Sequence, residues 1–178
     1  MKQKEILVFG ATGQIGRNLI RKLTRNNYKI TAVTRNIHQA GYILKTQANP
    51  GYLNLVELKN FDLTKIDELV KNCTICINLI GILYEKKKGH FKTIHTDLPN
   101  LLSQKAKKYQ IDKLIHLSAL GIEQAIDSNY AISKIEGEKK IIKNFNRHII
   151  LKPSIVYSVD DNFSTNFMSL LSKLPVMP

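Results

Sequence analysis

Tyr130 and Lys134 lie four residues apart at the start of a helix-like stretch, so their side chains share one face. A phenol beside an ammonium is lowered in pKa and can act as a general acid or base when a proton moves on or off a carbonyl or alcohol oxygen. Near a ribose, the same ammonium anchors a cofactor. Ser118 follows a strand-like segment and can hydrogen-bond a carbonyl or the tyrosine itself. A bare Tyr-x-x-x-Lys recurs by chance. Here it follows a strand, opens a helix and shares the chain with a second motif.

That second motif runs from Ile6 to Gly16, Ile-Leu-Val-Phe-Gly-Ala-Thr-Gly-Gln-Ile-Gly. An apolar run meets Gly10, Gly13 and Gly16, and a helical pattern follows. Gly10 suits a tight turn, Gly13 a close approach of backbone to a pyrophosphate, and Gly16 close packing of the helix on the sheet. Thr12, Gln14 and Ile15 sit among them, where helix-start N–H groups face an anion. Arg35 closes the second strand about 20 residues on, where a dinucleotide site reads the adenine ribose. An acidic residue there favours NAD(H). Arginine offers its fork to a 2′-phosphate, so the expected cofactor is NADP(H) in preference to NAD(H), against the plainer reading of an exposed surface arginine. Asp62, with Leu63 beside it, is placed to accept from the adenine amino group or to serve as a turn residue.

These residues need a scaffold, and the hydropathy pattern supplies one. Strands are expected at Ile6–Phe9, Lys29–Thr34, Leu53–Leu58, Thr74–Ile80, Lys113–Leu117 and His148–Leu151. Helices are expected at Ile15–Asn26, Ile37–Thr46, Thr64–Lys71 with Thr64 as N-cap, His90–Tyr109 kinked or restarted at Pro99, Asn129–Asn144 and Phe163–Lys173. Such alternation is an α/β fold, a doubly wound parallel sheet with helices on both faces (Rossmann), whose ligands bind at the carboxyl ends of the strands. Gly10–Gly16, Asn78, Leu79, Gly81 and Ser118 all converge on that edge.

The chain has 178 residues, 43% of them hydrophobic, and a formal net charge of +13. This is enough for one domain with a sizeable core. No apolar run is long enough to span a bilayer. Lysines cluster at 86–88, 105–108 and 139–143. They fit an anionic membrane surface or acidic partner, or simply a solvated face. No nucleic-acid module accompanies them. The two cysteines, Cys73 and Cys76, mimic a CxxC pair. Residues three apart on a strand face opposite sides, so they read as reduced structural thiols and no metal is expected. Residues 1–5 lead straight into the first strand, which reads as a protein without a targeting segment, working in a bacterial cytoplasm or an organellar matrix.

Gly10–Gly16, Asn78-Leu79-Ile80-Gly81, Tyr130–Lys134 and Lys152-Pro153-Ser154 together resemble an extended or atypical short-chain dehydrogenase. Asn78–Glu85, Phe91–His95, His116–Gly121, Tyr130–Glu138 and Lys152–Tyr157 resemble one branch more closely: the NADPH-binding accessory subunit of respiratory complex I and its bacterial relatives. The resemblance implies cofactor contacts at Asn78, Leu79, Gly81, Lys134 and Pro153. It implies tightly held NADPH without turnover, partners among complex I subunits, and a peripheral place on the inner membrane. Its alternatives are an active NADP-dependent reductase or sugar-nucleotide epimerase using Tyr130 and Lys134, and an NADP-sensing regulator. Lys152 stands where the family usually has arginine, and Ser158 where it has glycine. Ser118 lies closer to Tyr130 in sequence than in most active members. The expected organisation is one domain over 1–178, with 159–178 the start of a C-terminal lobe that is not completed.

Overall fold

A computed structural model describes residues 5–157. Six parallel strands form one sheet in the order β3-β2-β1-β4-β5-β6: β1 Glu5–Phe9, β2 Lys29–Thr34, β3 Leu53–Glu57, β4 Ile75–Asn78, β5 Lys113–Leu117 and β6 His148–Leu151. The order reverses between β1 and β4, which pair from Ile6↔Ile75 to Phe9↔Asn78. β1 carries a continuous apolar run because both of its faces are covered; Ile6, Leu7, Val8 and Phe9 are all buried.

Five α-helices flank the sheet: α1 Gln14–Arg25, α2 Ile37–Lys45, α3 Leu63–Lys71, α4 Leu98–Lys108 and α5 Asn129–Asn144. Ile6, Val8, Ile30 and Ala32 pack with Ile20 of α1 and Leu44 of α2 on one face. Leu7, Phe9, Cys76 and Leu114 pack with Ile66, Leu102 and Ile141 of α3, α4 and α5 on the other. This alternation of side chains across one strand is the period-two geometry of a sheet buried on both sides.

Three local expectations need correction. Thr64 is not the N-cap of α3; Asp62 is, its carboxylate accepting from the N–H groups of Thr64 and Lys65. A short 3₁₀ turn, Ile122–Gln124, lies between β5 and α5 where no element was expected. The long helix from His90 is not uniform: Lys92–Asp97 is π-helical and α4 restarts at Leu98. Pro99 explains the break. It has no N–H to offer the carbonyl of His95 one turn earlier. That carbonyl meets α5 instead, at Gly137, where a Cβ would lie 1.8 Å from the His95 oxygen. The expected helix at Phe163–Lys173 and the expected lobe at 159–178 fall outside the described residues.

Two glycine substitutions separate these effects. Gly137→Ala should cost about 3 kcal/mol, because backbone must move to admit the methyl group. Gly41→Ala, in α2 with nothing within 4 Å of the new Cβ, should gain about 0.5 kcal/mol. Urea denaturation of both variants checks the pair; equal effects would contradict the packing at Gly137.

Candidate functional site

The turn after β1 is built by its glycines. Gly10 has φ +79°, and a Cβ on it would come within 2.8 Å of the Leu79 carbonyl carbon. Gly16 was expected to bring α1 close to the sheet; its contacts are with the turn itself, where a Cβ would lie 2.5 Å from Gly10 O and 2.6 Å from Ala11 O. The N–H of Gly13 closes the turn on Gly10 O at 3.2 Å. Thr12 and Gly13 are exposed, while Gln14 and Ile15 are half-buried. α1 therefore begins at Gly13 with no side-chain cap and no acidic residue in its first turn. By contrast α2 is capped by Asn36, α3 by Asp62 and α5 by Ser128, while α4, also without a side-chain cap, continues from the π-helical turn before it. The uncapped N–H groups of α1, with a bare Cα beside them, fit an anion such as a pyrophosphate. The Gln14 side chain turns elsewhere and donates to Val156 O at 3.0 Å, tying the segment after β6 to this turn.

Other predicted contacts are occupied within the protein. One carboxylate oxygen of Asp62 holds the start of α3, which is the turn-residue reading, and Leu63 beside it is exposed. Asn78 is buried and organises its own loop: Oδ1 accepts from Ile80 N–H at 3.1 Å and Nδ2 meets His116 Nδ1 at 3.2 Å. Leu79 N–H donates to Phe9 O at 3.0 Å, and the Pro153 carbonyl accepts from Leu120 N–H at 2.9 Å. Gly81 is exposed, and a Cβ on it would lie 3.8 Å from Lys134 Nζ and 3.9 Å from His95 Nε2.

Tyr130, Lys134 and Ser118 do come to the carboxyl edge of the sheet. Ser128 caps α5, setting the face on which Lys134 is buried and Tyr130 half-buried. The Tyr130 ring meets His95 edge-on at 5.3 Å and Phe91 at 5.9 Å. Lys134 Nζ stands 5.6 Å from the Tyr130 ring centroid and donates to Leu117 O at 3.4 Å. Burial pushes Lys134 down to about 8, against an upward pull from the Glu138 carboxylate. Burial raises the Tyr130 phenol, and no lysine effect offsets it. The expected lowering of the phenol is thus absent, because the ammonium stands off the ring rather than bonded to the hydroxyl. Ser118 Oγ is buried and has no hydrogen-bond partner among the described residues, an orphan of the kind that a ligand satisfies.

Four residues were not foreseen. His95 and Ser133 bond each other, His116 bonds Asn78, and Glu138 pairs with Lys152 at 2.9 Å. Lys152 also pairs with Glu123, yet Glu138 Oε1 is buried without a partner among the described residues. Glu138 stands one turn beyond Lys134, a spacing that was readable in the sequence. Gly137 inside a helix was another available signal. Cys76 is buried and Cys73 partly so, and burial raises both thiols, Cys73 to about 12. Among the described residues no cluster of His, Cys, Asp or Glu could hold a metal, and no helix is long and apolar enough to cross a membrane.

The NAD dependent epimerase/dehydratase family pattern matches residues 6–174. The chain is similar to mouse NADH dehydrogenase [ubiquinone] 1 alpha subcomplex subunit 9, mitochondrial, at 29% identity over 161 residues, covering 90% of this chain and 42% of that one. It thus spans less than half of that relative's length. Among solved structures it resembles the Bordetella bronchiseptica enzyme WbmH in complex with NAD+, with TM-score 0.75, 16% identity, and coverage of 96% of this chain and 63% of that one. It also resembles UDP-glucuronic acid 4-epimerase from Bacillus cereus in complex with NAD, with TM-score 0.72, 22% identity, and the same 96% and 63% coverage.

The expected preference for NADP(H) is overturned. Both of these complexes carry NAD. The surroundings of Arg35 agree with the correction. Arg35 is exposed, and the adjoining start of α2 is already taken by a carboxylate: Glu57 Oε1 accepts from Ile37 N–H at 3.1 Å, and Asn36 Oδ1 accepts from Gln39 N–H at 3.1 Å. The Ile37 bond holds the Glu57 carboxyl below its ordinary range, so a negative charge stands there already. A 2′-phosphate would meet that charge rather than free donors.

The two buried imidazoles make stability pH-dependent. Burial pushes His95 down to about 4 and His116 to about 3, with the Lys134 charge adding to both. The unfolded chain takes up these protons near the ordinary histidine value and the folded chain does not. Stability is therefore full above about pH 6.5 and falls toward pH 4, by up to about 1.4 kcal/mol per pH unit for each histidine. Urea midpoints at pH 7.5 and pH 5 test this; identical midpoints would contradict it. Lys152→Arg should raise stability by about 1 kcal/mol, since a guanidinium fork can reach both Glu138 oxygens. A lowered melting temperature would refute that pairing.

Proposed function

The chain belongs to the NAD dependent epimerase/dehydratase family, and we propose that it binds NAD(H) at the Gly10–Gly16 turn and uses Tyr130 to move the proton that accompanies hydride transfer at a carbonyl or alcohol carbon. The observation that carries this reading is the meeting, at one sheet edge, of the uncapped start of α1, the buried ammonium of Lys134 and the Tyr130 phenol. When bound, the nicotinamide supplies or accepts the hydride.

The chain's own residues do the rest. The α1 N–H groups hold the pyrophosphate, and Gly13 leaves room for it. Tyr130, whose phenol burial keeps protonated, gives its proton to the carbonyl oxygen in the reducing direction. The resulting phenolate needs a nearby cation, and Lys134 provides it while charged. Ser118 Oγ, otherwise unpartnered, donates to the same carbonyl oxygen.

A second reading has its own support. The mouse relative, at 29% identity, is named as an NADH dehydrogenase subunit, and the Tyr130 phenol is raised rather than activated at rest. On this reading the chain holds NAD(H) without turnover, as part of a respiratory NADH dehydrogenase assembly at the membrane surface.

Following NADH absorbance across a panel of carbonyl and sugar-nucleotide compounds separates the two. The first reading predicts substrate-dependent oxidation that Tyr130→Phe lowers by at least about 100-fold, with NADH affinity unchanged. It further predicts that the reducing rate declines above pH 8, because Lys134, at about 8, loses the charge that supports the phenolate. No turnover on any compound, with co-purification of NADH dehydrogenase subunits from native membranes, would favour the second.

A further inference from the structure

We propose that His95 is a positioning residue whose neutral imidazole bridges the loop after β4 to α5, and so fixes Tyr130 and Lys134 relative to the dinucleotide turn. This rests on the reading that Tyr130 and Lys134 work the site. The bonds define the proton on the ring. His95 Nε2 lies 3.1 Å from Ile82 N, whose N–H can only donate, so Nε2 is the acceptor. Nδ1 then carries the hydrogen and donates to Ser133 Oγ at 2.9 Å. The Ser133 hydroxyl in turn donates to the Tyr130 carbonyl at 2.7 Å. The adjoining Thr96 hydroxyl donates to the Ser133 carbonyl at 2.9 Å, a second tie between the π-helical turn and α5.

Ring packing adds to the bonds. Phe91 stacks on His95 at 5.4 Å, and Tyr130 meets both rings edge-on. His95 stands in the π-helical turn Lys92–Asp97, and its carbonyl seats on Gly137 of α5. One buried side chain thus joins Ile82, next to Gly81 on the loop beside Lys134, to the turn of α5 that carries both Tyr130 and Lys134.

Only the neutral ring can do this. A protonated ring donates from both nitrogens and would face the Ile82 N–H with a second hydrogen. It would also set a charge beside Lys134 of α5, with His116 of β5 as the next titratable neighbour. Asp97, on the same turn as His95, is exposed and already paired with Lys92. Burial and the Lys134 charge, which push His95 down to about 4, keep the neutral form at ordinary pH.

The test combines ring spectroscopy and binding on the full chain. Nitrogen-15 NMR of the wild type should show His95 as a single neutral Nδ1–H tautomer from pH 8 down to pH 5. Ser133→Ala should leave that tautomer in place, because the Ile82 N–H still faces Nε2, while shifting the Nδ1 resonance as its acceptor is lost. In NADH titrations, His95→Phe keeps a ring against Phe91 and Tyr130 but loses both bonds, and should weaken binding about tenfold; His95→Gln supplies an acceptor and a donor and should stay within about threefold of wild type. If the phenylalanine variant does not fold, the glutamine and Ser133→Ala arms still decide. An Nε2–H tautomer, titration near pH 6.5, wild-type affinity in His95→Phe or equal losses in both His95 variants would overturn the proposal. Failure of the wild type to bind NADH would sink the functional reading alone, and the tautomer with its response to Ser133→Ala would still judge His95.

Discussion

The whole arrangement depends on how closely the ends of β1 and β4 can approach. Leu79 N–H bonds to Phe9 O, and the Leu79 carbonyl carbon presses on Gly10 where any side chain would clash. That contact forces Gly10 into the left-handed region, which glycine reaches without strain. The turn then doubles back so that Gly16 sits over the carbonyls of Gly10 and Ala11. The strand order reverses between β1 and β4, and the carboxyl edge at such a reversal is where sheets of this kind open a ligand crevice. A methyl group at Gly10 or Gly16 would thus disturb strand pairing and the anion-binding helix start together.

The second support is a seam of buried polar groups on the far side of the crevice. Asn78, His116, His95 and Ser133 satisfy one another and hold the loop after β4. Two of them are imidazoles kept neutral by burial beside a buried lysine. Such a network is costly when half made and specific when complete. Among the described residues two buried side-chain oxygens stay unsatisfied, Ser118 Oγ and Glu138 Oε1. The first lies at the carboxyl edge of the sheet, just after β5; the second belongs to a carboxylate whose other oxygen pairs with Lys152.

Much of this was legible in the sequence. The apolar runs at Ile6–Phe9 and Thr74–Ile80, the three glycines and the helical period of Asn129–Asn144 are local signals; each became the expected element, the second run pairing only over Ile75–Asn78 before its loop begins. The Tyr130–Lys134 pair was readable because four residues make one helical turn. The failures arose where distant segments decide the outcome. Arg35 looked like a phosphate reader until Glu57, from the next strand, was seen holding the start of α2. Asp62 was open to two readings, an adenine contact or a turn residue, and its bonds to Thr64 and Lys65 N–H support the second. His95 acquires its partner from Ser133, 38 residues away, through a π-helical turn that Pro99 alone did not specify.

Equilibrium titration of the purified chain with NADH, run beside NADPH, tests the central claim most directly. The account predicts saturable binding of one NADH per chain, at least as tight as NADPH, and lost on replacing Gly13 with a bulky residue. No saturable binding, or a clear preference for NADPH, would contradict it.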